Sequence, residues 1–158
     1  MPNHNDTTLP IEQNLGFLLH DVARLMRRNF NRLVQDLDLT QAQWQVLLHL
    51  SRNEGMNQAQ LASRMEVQPI SVARLLDRMQ SAGWVERRPD PEDRRAFKLY
   101  LTDKADPILQ QIRQRGAQLR QVTLQGIDAT MRQEFLQALV VMRKNLADGD
   151  EACTEKRD

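Results

Sequence analysis

Residues 57–102, NQAQLASRMEVQPISVARLLDRMQSAGWVERRPDPEDRRAFKLYLT, decide how the rest of the chain is read. Leu61, Ala62 and Met65 fall on one face of a short helix. Residues 66–68 make a turn, and Pro69 stands where the first turn of a helix tolerates a missing N–H. Val72, Leu75, Leu76 and Met79 then recur at helical spacing. Gly83 stops this second helix, because glycine enters the left-handed conformation without steric cost. Residues 84–87 and 97–101 alternate with the period of two expected of strands, and residues 89–95 between them form a charged turn. Helix, turn, helix and β-hairpin in this order predict a winged helix-turn-helix.

Working outward, Thr40 is a suitable N-cap for a preceding helix, its hydroxyl able to accept from the backbone of Gln43. Trp44, Val46, Leu47, Leu48 and Leu50 give that helix a broad apolar face, and Gly55 ends it. Before it, Leu15, Leu18, Leu19, Val22, Leu25, Met26, Phe30, Leu33, Val34 and Leu37 recur at threes and fours. This pattern predicts a helix from Ile11 of about six to seven turns. So long a helix overhangs any core that the central module offers, and its apolar stripe calls for a second surface. After the hairpin, Thr102 is the expected N-cap of another helix, with Pro107 bending it near its start. Ala105, Ile108, Leu109, Ile112, Leu119 and Val122 carry its stripe towards Gly126. Asp128 caps a last helix bearing Met131, Phe135, Leu136, Leu139, Val140, Met142 and Leu146.

The expected organisation is therefore mainly α with a small β-wing. Residues 1–10 are a flexible N-terminus, 11–39 an N-terminal dimerisation helix and 40–102 the winged helix-turn-helix lobe. Residues 103–147 are C-terminal dimerisation helices, and 148–158 a flexible polar tail. Pairing the flanking helices with those of a second copy is the economical way to bury their stripes, so a homodimer is expected.

Composition excludes more than it assigns. The 158 residues carry a formal charge of +1, so bulk electrostatics alone implies no polyanion partner. The arginines nevertheless cluster, at 24, 27, 28 and 32 and again at 74, 78, 87, 88, 94 and 95. The single cysteine, Cys153, permits no internal disulfide. His4, His20 and His49 lack metal-ligand spacing, and no cofactor is implied. No nucleophile–base pair or phosphate-cradling glycine loop stands out, so an enzyme is not expected. With no signal peptide and no membrane-spanning run, the reading is a cytoplasmic protein without membrane partners.

In a helix-turn-helix the second helix enters the DNA major groove with its N-terminal residues towards the base edges. Here those are Gln68, Pro69, Ile70, Ser71 and, one turn on, Arg74, with Arg78 beside them. Arg74 can offer a bidentate fork to guanine, worth about 1–3 kcal/mol of discrimination. The hairpin turn with Asp93, Arg94 and Arg95 can project a guanidinium into a narrow minor groove. Asp93 is read as an intramolecular partner of a nearby arginine, fixing the turn's shape. Arg87, Arg88 and Lys98 are placed to meet the phosphate backbone. On this reading the partner is double-stranded DNA.

The runs Leu76-Asp77-Arg78-Met79, Gly83-Trp84-Val85-Glu86-Arg87, Asp93-Arg94-Arg95 and Leu101-Thr102 resemble the MarR/SlyA family of bacterial transcription regulators. The resemblance extends over about residues 11–147. It implies a homodimer bound to a pseudo-palindromic, inverted-repeat operator, usually as a repressor. It makes Arg95 the wing-tip minor-groove residue oriented by Asp93, and Ser71 and Arg74 the major-groove readers. Many members release DNA when a small phenolic or aromatic carboxylate binds. Carried over, that ligand site would use Arg27, Trp44 and Arg74, an arginine for the carboxylate and an indole for the ring. A core Trp44 with a solvated Arg27 is the alternative at those positions. The chain lacks the N-terminal thiol of the cysteine-sensing branch and the ligand clusters of the zinc-responsive one. A winged-helix protein-interaction module that does not bind DNA is the competing function.

Overall fold

The computed structural model describes residues 14–93 and 95–154, with side chains as far as residue 147. The expected flexible segment 1–10, the helix start at Ile11, the wing residue Arg94 and residues 155–158 lie outside the described residues. The chain divides into two compact units, one running to Leu119 and the other from Arg120.

In the first unit, α1 (Leu15–Leu33) is capped by Asn14, whose side chain accepts from the Phe17 amide at 2.9 Å. Its stripe is exposed at Leu15, Leu18, Val22 and Met26 and enters the core only at Phe30, with Val34 just beyond the helix. The helix stops short of the expected residue 37. A 3-10 turn, Gln35–Leu37, replaces its last turn, and Asp38 takes the left-handed conformation at φ 54°. Asp is among the few non-glycine residues that enter that region, by bonding locally.

The expected capping of α2 (Gln41–Arg52) is present as a reciprocal box. The Thr40 hydroxyl accepts from the Gln43 amide at 3.3 Å, and the Gln43 side chain accepts from the Thr40 amide at 2.8 Å. Asn57 and Gln60 repeat the device on α3 (Gln58–Met65), satisfying two otherwise orphaned N–H groups. Glu66, left-handed at φ 54°, ends α3 without a glycine. Pro69 occupies the first position of α4 (Pro69–Ser81). Gly83, at φ 81°, closes that helix with the double bond set of a Schellman motif: Trp84 N to Met79 O at 3.0 Å and Gly83 N to Gln80 O at 2.9 Å.

The hairpin β1 (Val85–Pro89) and β2 (Phe97–Leu101) pairs antiparallel, from Val85 opposite Leu101 to Pro89 opposite Phe97. The segment before α3 adds a third line of pairing that the sequence pattern does not reveal. Gly55 donates to Leu99 O and Leu99 donates to Met56 O, both at 2.9 Å, and Asn57 bridges Lys98. The wing's inner strand is thus bonded on both sides and anchored to the helical layer. Leu47, Leu50, Leu61, Leu76, Met79 and Leu99 are fully buried between these elements.

Thr102 does not cap the next helix as expected. Its hydroxyl donates to the Gly83 carbonyl, tying the hairpin's exit to its entrance. A 3-10 turn, Asp103–Ala105, comes first, and α5 (Asp106–Thr123) begins at Asp106. Pro107 is consequently the second residue of α5, within the first turn where its missing N–H costs nothing, and the expected internal bend has no cause. Leu109 and Ile112 bury against the core. Arg115 pairs with Asp36 at 2.5 Å, linking α5 to the turn after α1.

In the second unit, Asp128 accepts from the Met131 amide at 3.0 Å and starts α6 (Ala129–Thr154). Arg132 donates to the Ile127 and Leu124 carbonyls at 2.6 and 2.8 Å, satisfying the end of the preceding helix. Met131, Phe135, Leu136, Val140, Val141 and Leu146 are exposed. α6 runs past residue 147 to Thr154, correcting the tail expected from Asp148. Ala147, Glu151 and Ala152 favour helix, and Gly149 opposes it by only about 1 kcal/mol.

Candidate nucleic-acid interface

Four side chains of α4, Val72, Leu75, Leu76 and Met79, are buried, which fixes the orientation of the helix. The opposite face presents Ile70, Arg74 and Arg78 at intervals of four residues, on one line along the helix. Gln68, Pro69 and Ser71 are exposed at its start. Among the described residues neither Arg74 nor Arg78 makes an ion pair or a side-chain hydrogen bond. Both guanidiniums keep their full donor sets for an external acceptor.

The wing arginines divide into engaged and free. Arg87 lies beneath α4: it pairs with Asp77 at 2.7 Å, donates to Gln80 Oε1 at 2.8 Å and approaches the Ala73 carbonyl at 3.4 Å. It is a brace between strand and helix, an intramolecular role that the expectation of a phosphate contact did not include. Arg88 pairs with Glu86, and its guanidinium lies 4.2 Å from the centre of the Tyr100 ring. Lys98 pairs with Asp90 at 3.5 Å. Arg95 is exposed, with no side-chain partner among the described residues.

The turn that carries Arg95 is held by two carboxylates bonding backbone. Asp93 Oδ1 accepts from the Arg95 amide at 2.9 Å, and Asp90 Oδ1 accepts from the Glu92 amide at 2.9 Å. Asp93 therefore shapes the turn through the Arg95 N–H, and among the described residues no guanidinium is the partner that was expected for it. The Glu92 amide, with Lys98 adding to it, holds the Asp90 carboxyl below its ordinary range despite an opposing contribution from burial. Arg95 also borders a cleft of about 360 Å³ that the sequence reading missed, with Asn57, Gln58 and the half-exposed Phe97 on its walls. The Gly55–Asn57 pairing with β2 brings the start of α3 there. No periodicity signals so short a strand.

Arg27 is exposed on α1, one turn before Asn31. Asn31 Oδ1 accepts the Trp44 indole N–H at 2.8 Å, and the indole meets Phe30 edge-on at a centroid separation of 4.7 Å. Trp44 is only 9% exposed, with both its ring and its N–H engaged. His49, on α2, is held below the ordinary imidazole value by burial and by the positive charges of Arg64 and Arg52. Among the described residues no His, Cys, Asp and Glu side chains gather into a metal site, and no helix is long and apolar enough to cross a membrane.

A sequence model of the MarR family matches residues 37–96. The crystal structure of the transcriptional regulator PA3341 is 38% identical and superposes with a TM-score of 0.76, covering 85% of this chain and 99% of its own. Apo MarR from E. coli is 30% identical with a TM-score of 0.71, covering 82% of this chain and 96% of its own. The transcriptional repressor CouR, in a structure bound to a 23-mer DNA duplex, is 26% identical with a TM-score of 0.67, covering 85% of this chain and 94% of its own.

Proposed function

The chain belongs to the MarR family of transcriptional regulators, and from that premise we propose that it is a homodimeric repressor of a pseudo-palindromic operator. One observation carries this reading. In a chain of net charge +1, the guanidiniums of Arg74, Arg78 and Arg95 stand exposed and unengaged among the described residues, while neighbouring Arg87, Arg88 and Lys98 are neutralised internally by Asp77, Glu86 and Asp90. Within α4 and the hairpin, the guanidiniums left unpaired among the described residues thus lie on the exposed face of the helix and at the hairpin tip. This suits a duplex, whose phosphates supply most of the attraction and whose groove edges supply discrimination.

In this mechanism α4 lies in the major groove, with Arg74 forking onto a guanine and Ser71 and Gln68 bonding bases or phosphates. Arg95 enters the adjacent minor groove, where negative potential is concentrated. Gln58, beside the wing cleft, donates its side-chain amide to the Pro69 carbonyl at 3.5 Å and so ties the start of α3 to that of α4. A second protomer covers the exposed apolar residues of α1 and of α6 and places two recognition helices one helical repeat, about 10–10.5 base pairs, apart.

A small phenolic or aromatic carboxylate is the proposed releasing ligand, its carboxylate taken by Arg27 or Arg74. The engaged state of the Trp44 indole leaves the arginines as the groups that recognise it. Such a ligand releases DNA only to the extent that it prefers the non-binding conformation. Sedimentation of the full chain with a bound duplex tests the assembly. Two protomers per duplex are expected, and a one-to-one complex would overturn the dimeric reading. Added benzoate should dissociate the complex, whereas undiminished binding at millimolar benzoate would remove that ligand class.

A further inference from the structure

Within residues 41–102 the exposed large apolar side chains are Val67, Ile70 and Phe97. Ile70 is 63% exposed at the second position of α4, and Val67 is 42% exposed in the turn just before it. Neither position requires an apolar residue for folding. Val72, Leu75, Leu76 and Met79 already fill the core face, and a β-branched side chain gains no helix propensity at such a site. Free Ile70 therefore presents branched hydrocarbon to water with little intramolecular return.

Arg74 and Arg78 continue the line that Ile70 begins, so whatever meets Ile70 also meets free guanidiniums. A wholly apolar protein surface is excluded by that company, because it would strand two charges without acceptors. A DNA major groove offers acceptors throughout and one apolar feature, the 5-methyl group of thymine. We propose that Ile70, flanked by Val67, reads a thymine methyl in each half-site, so that the operator is specified by an apolar contact as well as by Arg74. This inference rests on the reading of α4 as the groove-bound helix.

The geometry also locates the base. Ile70 and Arg74 are one helical turn apart, about 6 Å along the axis, which spans one to two base-pair steps of about 3.4 Å. The thymine accordingly lies within two base pairs of the guanine contacted by Arg74.

The test replaces each operator thymine in turn by deoxyuridine, which pairs identically and lacks only the methyl group. The duplex is one recovered from a random pool by the full-length protein. One thymine per half-site should respond, with affinity falling about fourfold, the equivalent of one methyl group's burial at about 0.8 kcal/mol. In Ile70→Ser that response should vanish, with the thymine and deoxyuridine duplexes bound equally, while Arg74→Ala should preserve it. Because Ile70 is exposed, the serine variant leaves no cavity, and its thermal midpoint should match that of the parent chain. Binding that stays tight and salt-dependent while the deoxyuridine scan is flat would overturn this inference and leave the DNA-binding reading standing. A response that persists in Ile70→Ser would overturn it too. Failure to recover any duplex would overturn both.

Discussion

Arg87→Met separates the two roles that an arginine beside a recognition helix can have. The substitution keeps most of the aliphatic stem and deletes the guanidinium that joins β1 to Asp77, Gln80 and the Ala73 carbonyl. The Arg87 side chain is 22% exposed and that of Asp77 is 66% exposed, so solvent screens the ion pair and limits it to about 0.2–1 kcal/mol. The bond to the neutral Gln80 amide adds about 0.5–1.5 kcal/mol, and the longer approach to Ala73 little more. The expected loss is thus about 1–2 kcal/mol, or roughly 2–8 °C in thermal midpoint for a chain of this size. Circular dichroism melts of the parent, Arg87→Met, Asp77→Asn and the double variant would isolate the pair, whose coupling should be positive and below about 1 kcal/mol. DNA affinity measured against salt completes the experiment. Because this guanidinium is consumed internally, the salt slope should not change. A melt unchanged within about 1 °C, or a slope reduced by about one per protomer as loss of a phosphate contact requires, would refute the brace.

Other substitutions address other parts of the mechanism. Arg95→Ala should weaken DNA binding strongly without altering dimerisation, as read by anisotropy and light scattering, because its side chain is bonded to nothing within the described fold. Arg74→Ala should relax base preference at one position per half-site, at a cost of about 1–3 kcal/mol, seen by repeating the selection with the variant. Val22→Glu combined with Leu136→Glu places charge on exposed apolar faces of α1 and α6. The expected product is a folded monomer by light scattering, and a persistent dimer would move the interface elsewhere. His49 has a folded-state value below 6.5, so the unfolded chain binds the extra proton. Its contribution to stability is present above the unfolded value of about 6.5 and is lost as pH falls through the lower folded value. His49→Gln should flatten that acid-side slope in denaturant titrations.

Much of the scaffold was legible because its signals are local. Thr40 with Gln43, Pro69 at a helix start and Gly83 at a helix end each act within a few residues. The core face of α4 follows from the spacing of four side chains. What escaped depends on distant partners or on departures from residue preference. Asp38 and Glu66 take left-handed conformations usually left to glycine. The pairing of residues 55–57 with β2 is too short to show a period. The orientation of α4 disclosed which residues are exposed, but the division of the arginines required coordinates. Arg87, Arg88 and Arg95 look alike in a charged stretch, and only the positions of Asp77, Gln80, Glu86 and Tyr100 separate the engaged from the free. Asp93 shows the same limit, since its role was legible and its partner was not. Trp44 suits either a ligand site or the core in sequence, and only coordinates reveal its indole bonded to Asn31 and edge-on to Phe30.

Selection of bound duplexes from a random pool, with the affinity of the winner followed against salt, tests the central claim most directly. An inverted repeat with half-sites about 10–10.5 base pairs apart, and a log affinity that falls steeply and linearly with log salt, are the expected results. A pool that yields no motif, with weak binding even at low salt, would contradict a dimeric operator-binding regulator and favour a winged helix that engages protein instead.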